Sequence, residues 1–183
     1  MRCFIAIEFD DETRKFLVNI QDKLKTTEIT GNYSRPDNLH LTIRFLGEVD
    51  QYLFKAIKDA MKRVALRHKS FDLNINSIGK FDKGNKSIVW AGLERSQDLV
   101  ELYNDMDEEL RTIMPGLNKE KYSPHITLIR EAGPKDKVGS FISALGDNNH
   151  KFTVSGISLM ESTRINGQLT YVRKAYETIK PNE

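Results

Sequence analysis

A chain of 183 residues is long enough to bury a sizeable core, as one compact unit or as two small lobes. Its residues are 39% hydrophobic and 30% charged, and no run approaches the roughly 18 apolar residues of a membrane span, so a soluble protein without membrane contact is expected. The net charge of +2 is too small to capture nucleic acid by bulk electrostatics, and any RNA contact must be local. Cys3 stands alone, which rules out an intrachain disulfide, and Glu8 and Asp10 interrupt the opening apolar run too soon for a signal peptide. Both features fit a reducing cytoplasm, and a monomer is expected.

In chain order, Phe4 to Phe9 reads as a strand, and Asp10 offers an N-cap to a helix with Phe16, Leu17, Ile20 and Leu24 on one face. A loop bracketed by Gly31 and Pro36 leads to a strand that begins at His40 and stops at Gly47. Asp50 then caps a second helix, with Leu53, Phe54, Ile57, Met61 and Val64 at helical spacing, and Phe71 to Ile78 alternates as a strand.

The order then repeats. Ile88 to Leu93 reads as a strand, and Ser96 caps a helix carrying Leu99, Leu102, Tyr103, Met106, Leu110 and Ile113. A strand starts at His125, and Gly133-Pro134 leads to a short helix with Val138, Phe141, Ile142 and Leu145. Strands at Phe152 to Met160 and Leu169 to Thr178 complete the chain. Phe4 to His40 spans 36 residues and Ile88 to His125 spans 37, so the two β-α-β-α-β units predict two similar lobes about a pseudo-twofold axis. The expected class is α+β: antiparallel sheets around a central cleft, with helices on the outer faces. The halves are placed at about 1–83 and 84–183 of one bilobal domain, with the terminal strand free to cross over.

Two stretches are copies of one another: His40-Leu41-Thr42-Ile43 and His125-Ile126-Thr127-Leu128. Strand side chains alternate faces, so His and Thr of each copy point the same way. An imidazole takes or gives a proton near neutrality, two facing each other make an acid and a base, and two hydroxyls bond the oxygens of a phosphate. A single His-x-Thr is a weak signal. The pair uses two of only four histidines, and an arginine follows each copy. Period-two parity puts Arg44 on the face of His40 and Thr42, but turns Arg130 away from His125 and Thr127 unless the strand bulges. Tyr33 and Tyr122, each in a polar stretch just before a His-x-Thr strand, are the leading base-stacking candidates among the aromatic residues, ahead of Phe4, Phe45, Phe81 and Trp90.

Other chemistries fare worse. Gly79 to Ser87 nearly spells a phosphate-binding loop, but a strand follows it where a helix is needed, so it reads as a hairpin turn. One cysteine, with His68 and His150 at element ends and read as exposed, leaves no zinc ligand set. No Gly-x-Ser-x-Gly elbow is present, nor the Lys-x-Asp-Gly signature of a nucleotide-dependent ligase. A module that only captures RNA ends or nucleotides is the competing reading.

The residues 33–49, 89–93 and 122–130, with both His-x-Thr motifs in order, resemble the two-histidine phosphoesterase superfamily. Within it they are similar to the bacterial and archaeal branch called RNA 2′,3′-cyclic phosphodiesterase, or 2′-5′ RNA ligase. The resemblance implies hydrolysis of RNA 2′,3′-cyclic phosphate ends to 2′-phosphates, with no cofactor and no metal. Reversible 2′-5′ joining of tRNA halves is implied as a further activity. By the family pattern His40 would be the proton donor and His125 the acceptor, with Thr42 and Thr127 on phosphate oxygens; Arg44, Arg130, Tyr33 and Tyr122 are the further substrate-contact candidates, read from their positions beside the motifs.

Overall fold

The structure is a computed structural model and describes residues 1–182. Its strands are β1 (Arg2–Glu8), β2 (Thr30–Tyr33), β3 (His40–Glu48), β4 (Phe71–Lys83), β5 (Lys86–Leu93), β6 (His125–Gly133), β7 (His150–Val154), β8 (Gly156–Ile165) and β9 (Gln168–Thr178). Four helices are interspersed: α1 (Asp11–Lys25), α2 (Gln51–Arg67), α3 (Gln97–Ile113) and α4 (Lys135–Ser143). The three expected caps form, since Asp10, Asp50 and Ser96 accept the backbone N–H of Thr13, Leu53 and Leu99. Each of these helices buries one apolar stripe: Leu17, Ile20 and Leu24 in α1, Ile57, Met61 and Val64 in α2, and Leu102, Met106 and Leu110 in α3. Burying each such side chain contributes roughly 1.5–3 kcal/mol.

The strands form two antiparallel sheets, of order β3-β1-β8-β9 and β2-β6-β5-β4-β7. Strands β3 and β6, which carry the two motifs, meet where the sheets approach. The α+β class with paired antiparallel sheets is therefore observed. A cut near residue 83 corresponds to neither sheet, because it falls in the β4–β5 hairpin, where Lys83 pairs with Lys86. Each sheet draws strands from both halves of the chain. The helices cross as well: α1 follows β1 but packs on β6 and β7, and α3 follows β5 but packs on β3 and α2. Apolar faces seek the nearest uncovered sheet, and here that sheet belongs to the other half.

Two further expectations change. The run Phe152 to Met160 is not one strand, because Ser155 separates β7 in one sheet from β8 in the other. The loop before His40 contains β2, which pairs along β6 with Tyr33 opposite Ile129.

Candidate active site

Each catalytic candidate opens its strand, and each is held by a carbonyl two residues upstream. Nδ1 of His40 lies 2.7 Å from the Asn38 carbonyl, and Nδ1 of His125 lies 2.8 Å from that of Ser123. A carbonyl only accepts, so Nδ1 carries the proton in both rings and Nε2 is the unprotonated nitrogen of each neutral imidazole. In neutral His40, Nε2 accepts from the Thr42 hydroxyl at 2.9 Å. Asn38 is itself fixed by β9: its amide donates to the Leu169 carbonyl at 3.0 Å and its Oδ1 accepts from Tyr171 N–H at 3.2 Å. None of these backbone anchors carries a side-chain signal in the sequence.

The His40 ring packs against Phe4 at 4.8 Å and the edge of Tyr171 at 5.1 Å between centroids. Burial pushes its pKa below the ordinary histidine range; the Asn38 bond opposes this, while the charges of Arg130 and His125 add to it and that of Glu8 opposes it. His40 is therefore neutral at neutral pH. The His125 ring meets Phe81 at 5.1 Å, edge to face. Trp90 lies opposite Thr127 and Gly92 opposite His125. Gly79 and Gly92 leave room for the indole against this sheet, since a Cβ at Gly79 would come within 2.3 Å of it.

The arginines exchange their expected places. In β3 the pairing jumps from Ala6–Thr42 to Ile5–Arg44, which leaves Ile43 as the extra residue of a bulge. Parity flips there and Arg44 turns into the interior, 1% exposed, against Asp107 at 2.9 Å, Glu120 at 2.6 Å and the Asn118 carbonyl. Arg44 is thus no cleft residue; it ties β3 to α3 and to the segment that enters β6. In β6 the pairing jumps from Trp90–Thr127 to Val89–Ile129, which bulges Leu128 and returns the exposed Arg130 to the face of His125 and Thr127.

A hollow of about 280 Å³ joins Tyr33, His40, Thr127, Arg130 and Tyr171, with Arg164 at its rim. Thr42 reaches it through His40, and Thr127 is steadied by Ser34, whose hydroxyl donates to its carbonyl at 2.9 Å. Tyr122, expected to stack on a base, has its ring and hydroxyl engaged within the protein. Its hydroxyl donates to the Thr42 carbonyl at 2.9 Å, its ring stacks on Tyr103 at 4.1 Å, and burial pushes its pKa up. It buttresses the motif strand. The contacts of Asn38 and Tyr171 with the start of β3 and with His40 are ones that spacing does not reveal.

His68 and His150 are paired side chains rather than free surface groups. His68 Nε2 lies 2.7 Å from Asp105, and His150 lies 2.9 Å from the Thr13 hydroxyl and stacks on Phe16. The Gly79–Ser87 stretch is a hairpin turn, with Gly84 at φ 61°. Among the described residues, no three His, Cys, Asp or Glu side chains gather as a metal-binding group, and no helix is long and apolar enough to cross a membrane.

Two sheets that meet at paired His-x-Thr strands define a two-histidine phosphoesterase cleft. Residues 9–166 match the family model of the 2′-5′ RNA ligase superfamily, and the chain belongs to that family. It is 29% identical over 167 residues to an RNA 2′,3′-cyclic phosphodiesterase of Methanothermobacter thermautotrophicus, covering 88% of this chain and 90% of that one. It is 30% identical to one from Methanocaldococcus jannaschii, covering 98% and 99%. Among solved structures, E. coli LigT complexed with 3′-AMP superposes with a TM-score of 0.80 at 25% identity, over 97% of this chain and 96% of that one.

Proposed function

We propose that this protein hydrolyses RNA 2′,3′-cyclic phosphate ends to 2′-phosphate ends by acid–base catalysis on His40 and His125, without a metal. The observation that carries the reading is the matched pair of imidazoles, each with Nδ1–H tied to a carbonyl so that Nε2 is the nitrogen left for proton transfer. The relatives named RNA 2′,3′-cyclic phosphodiesterase support the same class of substrate.

The cyclic phosphate sits between the two rings. His125 Nε2 takes a proton from water as the water oxygen bonds to phosphorus. The bond from phosphorus to the 3′ oxygen breaks in line, and that oxygen takes the proton of His40 Nε2. Thr42 and Thr127 hydroxyls and the Arg130 guanidinium stabilise the charge on the phosphoryl oxygens. Burial makes the His40 imidazolium a better acid than an ordinary one, and the charge of the bound phosphate, like that of Glu8, favours its protonated form. If a ribose 5′-hydroxyl replaces the water, the same bond breaks and a 2′-5′ linkage forms, which is how the cleft would join tRNA halves. One chain supplies both histidines, consistent with a monomer, and the enzyme acts in the cytoplasm.

Incubation with an oligonucleotide ending in 2′,3′-cyclic phosphate, followed by identification of the product end, tests the reading. A 2′-phosphate is expected. Tight binding with an unchanged cyclic end would instead identify a capture module.

A further inference from the structure

Beyond the catalytic hollow, the surface carries a second feature that the hydrolytic step does not use. We propose that the β4–β5 hairpin and the start of α4 form a basic track that holds the RNA backbone on the 5′ side of the cyclic end, making a single-stranded polymer the preferred substrate over a mononucleotide. This rests on the reading of the cleft as a cyclic-phosphate site.

Three hollows run in series. The catalytic one shares Asn32 and Arg130 with a neighbour of about 430 Å³ that adds Lys83, Asn85 and Lys86. That neighbour shares Asn85 and Lys86 with a third, of about 770 Å³, that adds Lys80 and Lys135. Arg130 is therefore the gate between chemistry and track.

Several charges along this route are not neutralised by carboxylates, although Lys135 also donates to the Gly84 carbonyl at 2.8 Å. Among the described residues, Arg130, Lys83, Lys86 and Lys135 have no carboxylate partner within 4.0 Å, whereas many other cations, such as Arg44, Arg63, Arg111 and Lys137, have one. Two of the three carboxylates along the route are engaged: Asp82 accepts from Lys80 at 2.6 Å and from Ser87 at 2.8 Å, and Glu131 accepts from Asn32 at 2.9 Å, while Asp136 lines the third hollow beside Lys135. Lys83 and Lys86 of the hairpin and Lys135 of α4 thus bring three such cations together beside the site. A row of unpaired ammonium groups suits the repeated phosphates of a strand, and releasing their counterions drives binding.

Direction follows from chemistry. A 2′,3′-cyclic phosphate is the last group of a strand, so all remaining nucleotides extend from it on the 5′ side. The Arg130 side offers them lysines in open hollows, whereas on the opposite rim Arg35 and Arg164 already donate to the backbone carbonyls of Leu169 and Gly167, beside the exposed apolar Ile165 and Leu169.

The test compares wild type with a Lys83→Gln, Lys86→Gln, Lys135→Gln triple variant, all surface positions outside the catalytic cleft. On a single-stranded RNA with a cyclic end, kcat/KM is expected to fall about 10-fold in the variant, and its log–log salt slope to become shallower by roughly 0.7 for each phosphate that is no longer neutralised. On a 2′,3′-cyclic mononucleotide the two proteins should be equal. An equal fall on both substrates, or an unchanged salt slope, would overturn the track. Equilibrium binding of a 2′-phosphate-ended RNA is measured alongside. It judges the track even if wild type turns over neither substrate: weaker binding by the variant supports it, and equal binding, the result expected if the patch serves an acidic protein instead, refutes it.

Discussion

Ile43 and Leu128 are each the unopposed residue of a β-bulge, and each lies three positions after a motif histidine. The two bulges turn one arginine inward and the other outward. Arg44 stands immediately after its bulge and is buried, whereas Arg130 stands one residue further on and reaches the cleft. The two arginines should therefore fail in opposite ways. Arg44→Ala leaves the buried Asp107 with Arg111 alone, opens a cavity and frees Glu120, and should destabilise the fold by up to about 3–5 kcal/mol, while the residual folded protein keeps its turnover. Arg130→Gln should leave Tm unchanged and lower kcat/KM by about 10- to 100-fold, the value of one charge-assisted bond. Thermal melts and initial rates on the same preparations separate these outcomes; a stable, inactive Arg44 variant would contradict the placement.

Removing either member of the proton-transfer pair, as His40→Ala or His125→Ala, should lower turnover by about 10² to 10⁴, the range of a positioned acid or base. The double variant should lose much less than the product of the singles, because the pair acts as a unit. Thr42→Val and Thr127→Val should cost on the order of 10- to 10³-fold. Single-turnover rates on a cyclic-phosphate oligonucleotide provide the check.

The depressed pKa of His40 carries a sign for stability. Its unfolded value is about 6.5 and its folded value lies lower, so between the two the unfolded chain binds the extra proton. Stability is fully present above about pH 6.5 and declines as pH falls through that window, until the folded ring also protonates. His40→Gln should flatten this part of the curve of unfolding free energy against pH. An NMR titration of wild type should place the His40 midpoint below about 6.5; a midpoint above it would refute the burial argument.

The same ring decides the division of labour. In His125→Ala, His40 is the remaining motif imidazole. If it donates, the residual rate falls as pH rises past its midpoint; if it accepts, the rate rises instead. EDTA should leave the wild-type rate unchanged at every pH, and loss of activity that added divalent metal restores would refute the metal-free mechanism.

Tyr122→Phe isolates a positioning role. It keeps the ring stacked on Tyr103 and removes only the bond to the Thr42 carbonyl, so a stability loss of about 0.5–1.5 kcal/mol is expected. KM for a cyclic mononucleotide should hold while kcat drops. A rise in KM with kcat intact would mean that Tyr122 contacts substrate after all.

Much of this protein is written locally. The duplicated His-x-Thr motifs, the Asp10, Asp50 and Ser96 caps and the amphipathic stripes of α1, α2 and α3 depend on residues within a few positions of one another, and such patterns survive in any tertiary setting. What the sequence left open depends on distant partners. Whether Ile43 or Leu128 bulges is settled by how β1 and β5 pair beside them, and a one-residue slip sends every following side chain to the other face. Period two alone thus put Arg44 in the cleft and Arg130 out of it. Only tertiary structure set the histidine tautomers, through the carbonyls of Asn38 and Ser123, because backbone acceptors leave no trace in residue identity. Only tertiary structure sent α1 and α3 across to the opposite sheets, because the apolar face of a helix specifies that it must be covered and not which sheet covers it.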